Sequence, residues 1–501
     1  MNWNQLMCPA RARGNVRKRA GADLRTEFER DYHRVISSAS FRRLQDKTQV
    51  FPLDQSDFIR TRLTHSLEVA SFARSIGQNI SKMIIEDELD PEFTEQTKDD
   101  VCAVLECAGL LHDIGNPPFG HFGESAIQDW FKKNLGIVEY DGKPLSEILN
   151  KQMQADLTNF EGNTQAFRVV TKLHFMVDEN GMNLTQALLA TIMKYPGSSL
   201  DVNYDKNDPE RDITHKKMGY FYAERELFDM VQESCGTNGR RHPLSFALEA
   251  ADDIAYKTAD IEDAVKKKLL NKDILVHELT NVVGEVKIKK LTLMDELNEP
   301  LDPDDRDVMV YKNIKRLNSY FDRAIQNDYD DPDLYAVQNW VVRVQGLGLS
   351  AAAVSFVTHY SEIMNGTYKH ELLDDSEAKW LMDLLGDVAY RYAFCSGPIL
   401  KLEVAADTIF EFLLDRMVKA LVYFDTPMWK EKATSVDCKI VGLISPTFMH
   451  VYRASADRIT CKGKEAEYEK LYLRMLLATD YISGMTDSYA KRLYQQFNGI
   501  M

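Results

Sequence analysis

The sequence predicts an all-α protein, and three observations support this. Apolar residues recur at helical spacing through most of the chain, no internal repeat is present, and strands do not alternate in a regular succession. The chain has 501 residues, of which 44% are hydrophobic and 28% charged. A chain of this length and composition can bury a large core.

Charge and proline patterns divide the chain into three predicted regions. Residues 1–29 form a basic arm, 30–290 hold the dense histidine, acid and arginine constellations, and 291–501 form a C-terminal helical region packed on that core. An acidic, proline-punctuated stretch at 300–335 follows the boundary near 290. The polar stretch 196–214 lacks periodicity and is either a surface excursion or a lid beside a pocket.

The formal net charge of −16 argues against indiscriminate nucleic-acid binding, because phosphate backbones are held by clustered lysine and arginine. Any phosphate site must therefore be locally basic. Within the N-terminal arm, between residues 11 and 25, only Asp23 offsets the positive side chains of Arg11, Arg13, Arg17, Lys18, Arg19 and Arg25. We expect this arm to lie on an acidic surface or a neighbouring subunit, with a nucleic-acid contact as the alternative.

The sequence predicts a cytoplasmic protein without a membrane segment. The N-terminus, MNWNQLMCPARARGNVRKR, turns basic at once, and no uninterrupted apolar run of about 18 residues follows. The seven cysteines are scattered and form no CxxC pattern. Disulfides and cysteine-bound zinc are therefore not expected.

Three predicted helices each direct a potential metal ligand inward. His65 lies four residues before Val69 on an apolar stripe, and a second stripe leads by helical steps to His112, which Asp113 follows. In the third helix, from residue 243, Asp252 lies on the buried face. A lone buried histidine is usually a core residue, but buried carboxylates are costly unless they are paired or bind metal. Two imidazoles and two carboxylates suit Mn, Mg, Fe, Ni or Zn.

Asp252 and Asp253 are adjacent, and only one of them can face a bound ion. Asp252, Tyr256 and Asp260 fall on one helix face at intervals of four residues, whereas Asp253 meets Lys257 at i+4 as a surface ion pair. The helical pattern therefore favours Asp252 as the ligand.

A second histidine follows the first pair within LLHDIGNPPFGHFGE, residues 110–124. His121 and Glu124 are three residues apart, so they share a face and can form a hydrogen bond if a helix begins there. The pair is either a helix cap or a proton-transfer pair, because a carboxylate can orient an imidazole for acid–base chemistry near neutral pH.

Several further motifs lie in order along nearly the whole chain, namely RRLQDKTQVFP (42–52), TRLTHSLEV (61–69), HDIGNPPFGHFGE (112–124), NFEGN (159–163), EAADDIAY (249–256) and DYISGMTD (480–487). Together they resemble the bacterial deoxyguanosine triphosphate triphosphohydrolase family, within the HD-domain metal phosphohydrolases. The resemblance implies an all-helical HD core with additional C-terminal helices. It also implies hydrolysis of dGTP or other deoxynucleoside triphosphates to a deoxynucleoside and tripolyphosphate, a divalent ion such as Mn or Mg, and a hexamer.

The resemblance also implies roles for single residues. It makes His65, His112, Asp113 and Asp252 the metal ligands and assigns catalysis to His121 and Glu124. It assigns phosphate contacts to Lys194 and Lys217, and it is the only reason for choosing Lys217 over the adjacent Lys216. Arg62 lies one helical turn before His65, so it is expected to reach the same pocket.

The ring of Tyr256 would pack against C2′ of a deoxyribose and leave no room for a 2′-hydroxyl. Gln49 and Asp260 would then form hydrogen bonds with the 3′-hydroxyl; their alternatives are a core-capping amide and a surface acid. Activation by single-stranded DNA or by a second nucleotide stays open, as do the base preference and the physiological metal.

Two other functions stay open at this point. The same site would serve a phosphohydrolase acting on a nucleoside monophosphate, a cyclic nucleotide or a guanosine tetraphosphate, although three basic positions exceed what a monophosphate needs. A nucleotide-sensing or single-strand-DNA-binding regulator would have a degenerate site. The complete ligand set and the His121–Glu124 pair argue against that regulator.

Overall fold

The computed structural model describes residues 1–13, 23–49, 60–174, 178, 180–203 and 212–500. Arg17, Lys18 and Arg19 of the basic arm, and 204–211 of the long polar stretch, lie outside these residues. The described arginines of the arm pair with acids of the same chain. Arg11 contacts Asp31 at 2.6 Å, and Arg13 pairs with Asp178. These contacts favour an arm lying on an acidic surface.

The predicted all-α fold is confirmed. In the described ranges the regular structure outside helices is one antiparallel pair of two-residue strands, β1 (Glu139–Tyr140) and β2 (Lys143–Pro144). The helices of the first half are α1 Trp3–Leu6, α2 Glu27–Ile36, α3 Ala39–Arg42, α4 Arg62–Glu86, α5 Glu95–Leu111, α6 His121–Asn134, α7 Leu145–Ile148, α8 Lys151–Thr158, α9 Gly162–Arg168, α10 Gln186–Ile192, α11 Arg225–Ser234 and α12 Pro243–Lys266.

The second half of the chain continues with further helices. They are α13 Lys272–Val283, α14 Glu285–Glu296, α15 Arg306–Gln326, α16 Pro332–Thr358, α17 Tyr360–Asn365, α18 Lys379–Ala389, α19 Gly397–Leu421, α20 Trp429–Lys432, α21 Ser435–Val441, α22 Pro446–Asp457, α23 Lys464–Ser483 and α24 Asp487–Phe497. Short 3₁₀ turns cover Arg43–Asp46, Ile213–His215 and Tyr222–Glu224, and π-helical turns cover Val169–Leu173 and Tyr390–Phe394.

Helices α4, α5 and α12 pack against one another and form the centre of the fold. Helix α4 begins at a reciprocal cap between Thr61 and Thr64, and it buries one apolar stripe together with His65. A Cβ at Gly109 of α5 would lie 2.5 Å from the Cα of Ala70 of α4, so only glycine permits this close approach. The approach brings the rings of His65 and His112 to a centroid distance of 5.2 Å.

The C-terminal helices pack directly on this centre. Helix α16 contacts α4 and α12, while α19 contacts α6 and α23. The predicted boundary near residue 290 falls within α14. The division into a catalytic core and a C-terminal region stays a prediction.

Helix α16 qualifies the expectation that no segment suits a membrane. By length and composition it could cross one, with a mean hydropathy of 1.4 over its apolar window, of which 39% is buried inside the structure. It packs against α12, α15 and α4, and core helices meet the same test. The helix is therefore weak evidence for a membrane span.

Candidate metal centre and its surroundings

Four predicted ligands come together where α4, α5 and α12 meet. His65 lies in α4, His112 is the C-terminal cap of α5 with Asp113 directly after it, and Asp252 lies in α12. Nε2 of His65 lies 3.0 Å from Oδ1 of Asp252, and Nε2 of His112 lies 3.4 Å from the same oxygen. One ligand atom from each of His65, His112 and Asp113 lies within 4.8 Å of the others.

The main chain orients the ring of His112. Its Nδ1 lies 2.7 Å from the carbonyl oxygen of Gly109. Because a carbonyl oxygen only accepts, Nδ1 must donate, which leaves Nε2 directed at Asp113 and Asp252. A histidine whose other nitrogen donates to a carbonyl is the usual arrangement of a metal ligand.

Nδ1 of His65 is buried and lacks a hydrogen-bond partner among the described residues, and so, on the side where the ligand atoms meet, do Nε2 of His112 and Oδ2 of Asp113. Nη1 of Arg62 lies 2.7 Å from this Oδ2, but its direction does not suit a hydrogen bond. Unpaired buried polar atoms are costly, and a divalent ion would satisfy those of His112 and Asp113. The nitrogen and oxygen donors therefore fit a hard or borderline cation.

The charges of the cluster depend on one another. Burial disfavours the charged form of His112, but the carboxylates of Asp113 and Asp252 raise its pKa to about 9. Burial likewise opposes ionisation of Asp252, yet His112 and His65 lower its pKa to about 2. Two carboxylates are thus kept charged at one buried point, which is the electrostatic setting that a cation requires.

Asp253 points away from this cluster. Its Oδ2 accepts a hydrogen bond from Nζ of Lys257 at 3.0 Å, one helical turn further along α12. Of the two adjacent aspartates, Asp252 is the one in contact with both histidines.

His121 and Glu124 form a hydrogen bond at the start of α6. Nδ1 of His121 lies 2.8 Å from Oε2 of Glu124, whose other oxygen accepts from the backbone N–H of Gly162 at 2.8 Å. Glu124 is buried, whereas the side chain of His121 is 71% exposed and its Nε2 is free to meet a ligand. The hydrogen bond to Glu124 raises the pKa of His121. Although burial opposes it, His121 lowers the pKa of Glu124 to about 2.

Each of the three predicted phosphate-binding cations is paired with an acid. Arg62 pairs with Asp113, Lys194 with Glu249, and Lys217 with Glu161 at 2.7 Å. The charge of Lys217 acts on both His121 and Glu124, and that of Asp252 acts on Lys194, so both lysines lie near the site. Arg60 instead pairs with a separate set of acids, Glu68, Glu262 and Asp263.

Tyr256 lies one turn after Asp252 in α12, and its ring stacks on Phe394 with centroids 6.1 Å apart and planes 16° apart. One turn further, Asp260 is 1% exposed, and neither of its carboxyl oxygens has a hydrogen-bond partner in the part of the chain that the structure describes. Oε1 of Gln49 is likewise buried and unpartnered within those ranges. Burial raises the pKa of Asp260 well above its usual value.

Sequence reasoning missed several residues that surround the site. Asn116 donates to Asp113, Glu249 holds Lys194, and Asp487 accepts a hydrogen bond from the backbone N–H of Phe119. All three lie in motifs that the sequence displays, but a motif does not indicate which side chain each of its residues will meet.

Known proteins resemble this chain both in one region and over its full length. Residues 62–157 match the HD domain family, and this span contains His65, His112, Asp113 and the His121–Glu124 pair. Over its full length the chain is 41% identical to the deoxyguanosinetriphosphate triphosphohydrolase-like protein of Listeria innocua, with 100% of both chains covered.

Two further relatives extend the match. The chain is 31% identical to the deoxyguanosinetriphosphate triphosphohydrolase-like protein of Synechocystis, with 100% of both chains covered. It is 30% identical to the deoxyguanosinetriphosphate triphosphohydrolase of Klebsiella pneumoniae, with 100% of this chain and 98% of the relative covered. The resemblance that the motifs carry is thereby confirmed, and the chain belongs to the deoxyguanosinetriphosphate triphosphohydrolase family of HD-domain proteins.

Proposed function

We propose that this chain hydrolyses dGTP to deoxyguanosine and inorganic tripolyphosphate. The observation that carries the proposal is the cluster of His65, His112 and Asp113 with Asp252, in which Nε2 of His112 and Oδ2 of Asp113 are buried without a hydrogen-bond partner among the described residues. The His121–Glu124 pair supplies acid–base groups beside it. The names of the full-length relatives support dGTP as the substrate.

His65, His112, Asp113 and Asp252 would hold one divalent ion; their nitrogen and oxygen donors suit Mn, Mg, Fe, Ni or Zn, and Mn or Mg is proposed from the family resemblance. When bound, such an ion polarises a phosphate oxygen and a water molecule. The chain itself contributes the orientation of the ligands. The carbonyl of Gly109 fixes the tautomer of His112, and Asn116 holds the other oxygen of Asp113.

Proton transfer falls to His121. Its Nδ1 is held by Glu124, so the exposed Nε2 can give a proton to the 5′-oxygen as the bond between this oxygen and the α-phosphorus breaks. Water adds to the α-phosphorus on the opposite side, deoxyguanosine leaves with the proton from His121, and the triphosphate, which now carries the water oxygen, is released as tripolyphosphate together with the proton of that water. Glu124 keeps the imidazole protonated by raising its pKa.

Three cations would hold the triphosphate. Arg62, Lys194 and Lys217 now pair with Asp113, Glu249 and Glu161, so the phosphates would share or replace these acids. A triphosphate carries about four negative charges and can compete for cations in this way, whereas a monophosphate offers fewer contacts. This requirement favours a triphosphate over a cyclic or monophosphate substrate.

The sugar would lie against Tyr256, whose ring Phe394 supports. The unpartnered oxygens of Asp260 and Gln49 suit a hydroxyl donor, and the 3′-hydroxyl of a deoxynucleotide would supply one. The presence of all four ligands and of the acid–base pair also disfavours a purely regulatory binding protein.

The remaining assignments are proposals from family resemblance alone. We propose that the chain acts in the cytoplasm and assembles as a hexamer, and that single-stranded DNA or a second nucleotide is a candidate activator. Light scattering during size-exclusion chromatography tests the hexamer. Turnover measured with and without each effector tests activation.

Product analysis tests the proposed reaction. The protein is incubated with each of the four deoxynucleoside triphosphates and either Mg or Mn, and anion chromatography separates tripolyphosphate, pyrophosphate and phosphate. We expect tripolyphosphate and deoxyguanosine in equal amounts from dGTP. Release of pyrophosphate or single phosphates, or hydrolysis confined to monophosphates or cyclic nucleotides, would overturn the proposal.

A further inference from the structure

In the turn that precedes His121, Phe119 has a backbone conformation that a bulky residue does not prefer. Phe119 has φ of 61°, and Gly120 has φ of 61° and ψ of −128°. Among the described non-glycine residues with positive φ, Phe119 alone is apolar. A bulky side chain adopts this conformation only when its surroundings hold it there. The start of α6, and with it His121, therefore depends on contacts from elsewhere in the chain.

Asp487 supplies one of these contacts from the far end of the sequence. Its Oδ1 accepts a hydrogen bond from the backbone N–H of Phe119 at 2.9 Å. Its Oδ2 accepts from the N–H and the hydroxyl of Thr48, at 3.0 and 2.6 Å. The side chain is 1% exposed. One buried carboxylate thus joins the turn to the segment at 47–48.

Lys47 makes the parallel connection. Its Nζ donates to the carbonyl oxygen of Asn116 in the same turn and to that of Ser483 at the end of α23. Its own carbonyl oxygen accepts from the N–H of Arg62 at 2.8 Å, where α4 begins. Residues 47–48 therefore fix the turn and the start of α4 to the C-terminal helices.

The hydrogen bonds of Asp487 are not those of a helix cap. It is the first residue of α24, but the capping bond of this helix is made by Thr486, whose hydroxyl accepts from the N–H of Tyr489. Both carboxylate oxygens of Asp487 instead accept hydrogen bonds from Phe119 and Thr48. Stabilising its own helix does not explain this arrangement.

We infer that Asp487 is a positioning residue, which holds the Phe119–Gly120 turn so that His121 stands beside the metal cluster. The C-terminal helices then take part in turnover without contacting the substrate. The inference rests on the proposed function, because it takes His121 as the proton donor. The effect of Asp487 on kcat is inferred to pass through this histidine, although its charge also acts on Arg62.

A double-mutant cycle tests the inference on the full chain. We compare Asp487→Ala, His121→Ala and the double variant in kcat, KM for dGTP and bound metal. Asp487→Ala is expected to lower kcat by about 10–100-fold, as losses of groups that orient catalytic residues do, with little change in KM or metal content. In the His121→Ala background the same change is expected to lower kcat less than about twofold, because its target is already absent.

Two variants complete the design. Asp487→Asn retains an oxygen for Phe119 and nearly the same shape, so it folds if Asp487→Ala does not, and an intermediate kcat is expected. Ser488→Ala is the matched control, since the hydroxyl of Ser488 joins the start of α24 to Asp46 at 2.8 Å, beside the segment at 47–48, and makes no hydrogen bond to the turn. We expect this control to keep the kcat of the unmodified protein.

The outcomes separate the inference from the function on which it rests. If His121→Ala is slow and Asp487→Ala slows both backgrounds equally, the positioning role is wrong and the proton-transfer role stands. Unchanged kcat in both Asp487 variants also overturns the inference. If His121→Ala keeps full kcat, the proposed role of His121 falls and the inference falls with it.

Discussion

Nε2 of His65 lies 3.0 Å from Oδ1 of Asp252, although 187 residues separate them along the chain. The contact joins α4 to α12, and the same oxygen lies 3.4 Å from Nε2 of His112. Because one carboxylate faces both imidazoles, the proposed site depends on Asp252, and the adjacent Asp253 cannot replace it.

The first prediction concerns the two adjacent aspartates. Asp252→Asn is expected to lose bound metal and more than about 100-fold in dGTP turnover, because it removes an anionic ligand. Asp253→Asn is the matched control, since it breaks only the partly exposed pair with Lys257, worth less than about 1 kcal/mol. Elemental analysis of the purified variants and dGTP turnover check both. Loss of metal in Asp253→Asn with full activity in Asp252→Asn would reverse the assignment.

The second prediction concerns pH. Glu124 raises the pKa of His121 through their hydrogen bond and through its charge. If protonated His121 serves the leaving oxygen, kcat falls as pH rises through the pKa of His121. Glu124→Gln removes the charge and lowers this pKa, so the alkaline limb of the kcat profile should move to lower pH.

The control for this experiment is Asp129→Asn, which removes an exposed acid paired with Lys132 on the same helix. The profile of the control should match that of the unmodified protein. An alkaline limb that stays in place in Glu124→Gln would mean that another group supplies the proton.

Much of the helical framework could be predicted from the sequence. Apolar stripes placed His65 and Asp252 on inward faces, because side chains four residues apart share a helix face. The same local rule paired Asp253 with Lys257, and the structure has this pair at 3.0 Å. Such predictions need only the period of the helix.

Contacts between distant segments could not be predicted in this way. Lys194 and Lys217 were identified without their acidic partners, and 368 residues separate Asp487 from the Phe119 N–H that it holds. Helical periodicity fixes the face on which a residue lies, but it does not fix the residue across the interface. These partners depend on how the helices pack.

The third prediction concerns stability. Asp156 is fully buried and accepts hydrogen bonds from Ser199, Tyr222 and Tyr472. Burial nevertheless outweighs them and raises its pKa from 3.8 to about 7. Between these two pH values Asp156 is protonated in the folded state and ionised in the unfolded state. The stability that this proton contributes is therefore fully present below pH 3.8, and it is lost as pH rises through about 7.

Asp156→Asn removes this dependence. From pH 5.5 to 7 the free energy of unfolding of the unmodified protein should fall relative to that of the variant by up to about 1.4 kcal/mol per pH unit. Urea denaturation at a series of pH values measures the difference. The control is Asp201→Asn, at an exposed position in the polar stretch 196–214. A constant difference between Asp156→Asn and the unmodified protein would show that Asp156 is ionised in the folded state throughout this range.

The last prediction concerns the sugar. Tyr256 follows the proposed ligand Asp252 by one helical turn and its ring stacks on Phe394, and we propose that a nucleotide bound at the metal places C2′ against this ring. A ribonucleotide would bury its 2′-hydroxyl against this ring without a partner, at a cost of about 1–3 kcal/mol, which corresponds to a roughly 5–150-fold preference for dGTP over GTP. Tyr256→Ala should narrow the ratio of their kcat/KM values, and Tyr256→Phe, which keeps the ring, should preserve it. Equal kcat/KM for GTP and dGTP in the unmodified protein would refute the argument, because the intact ring would then exclude nothing.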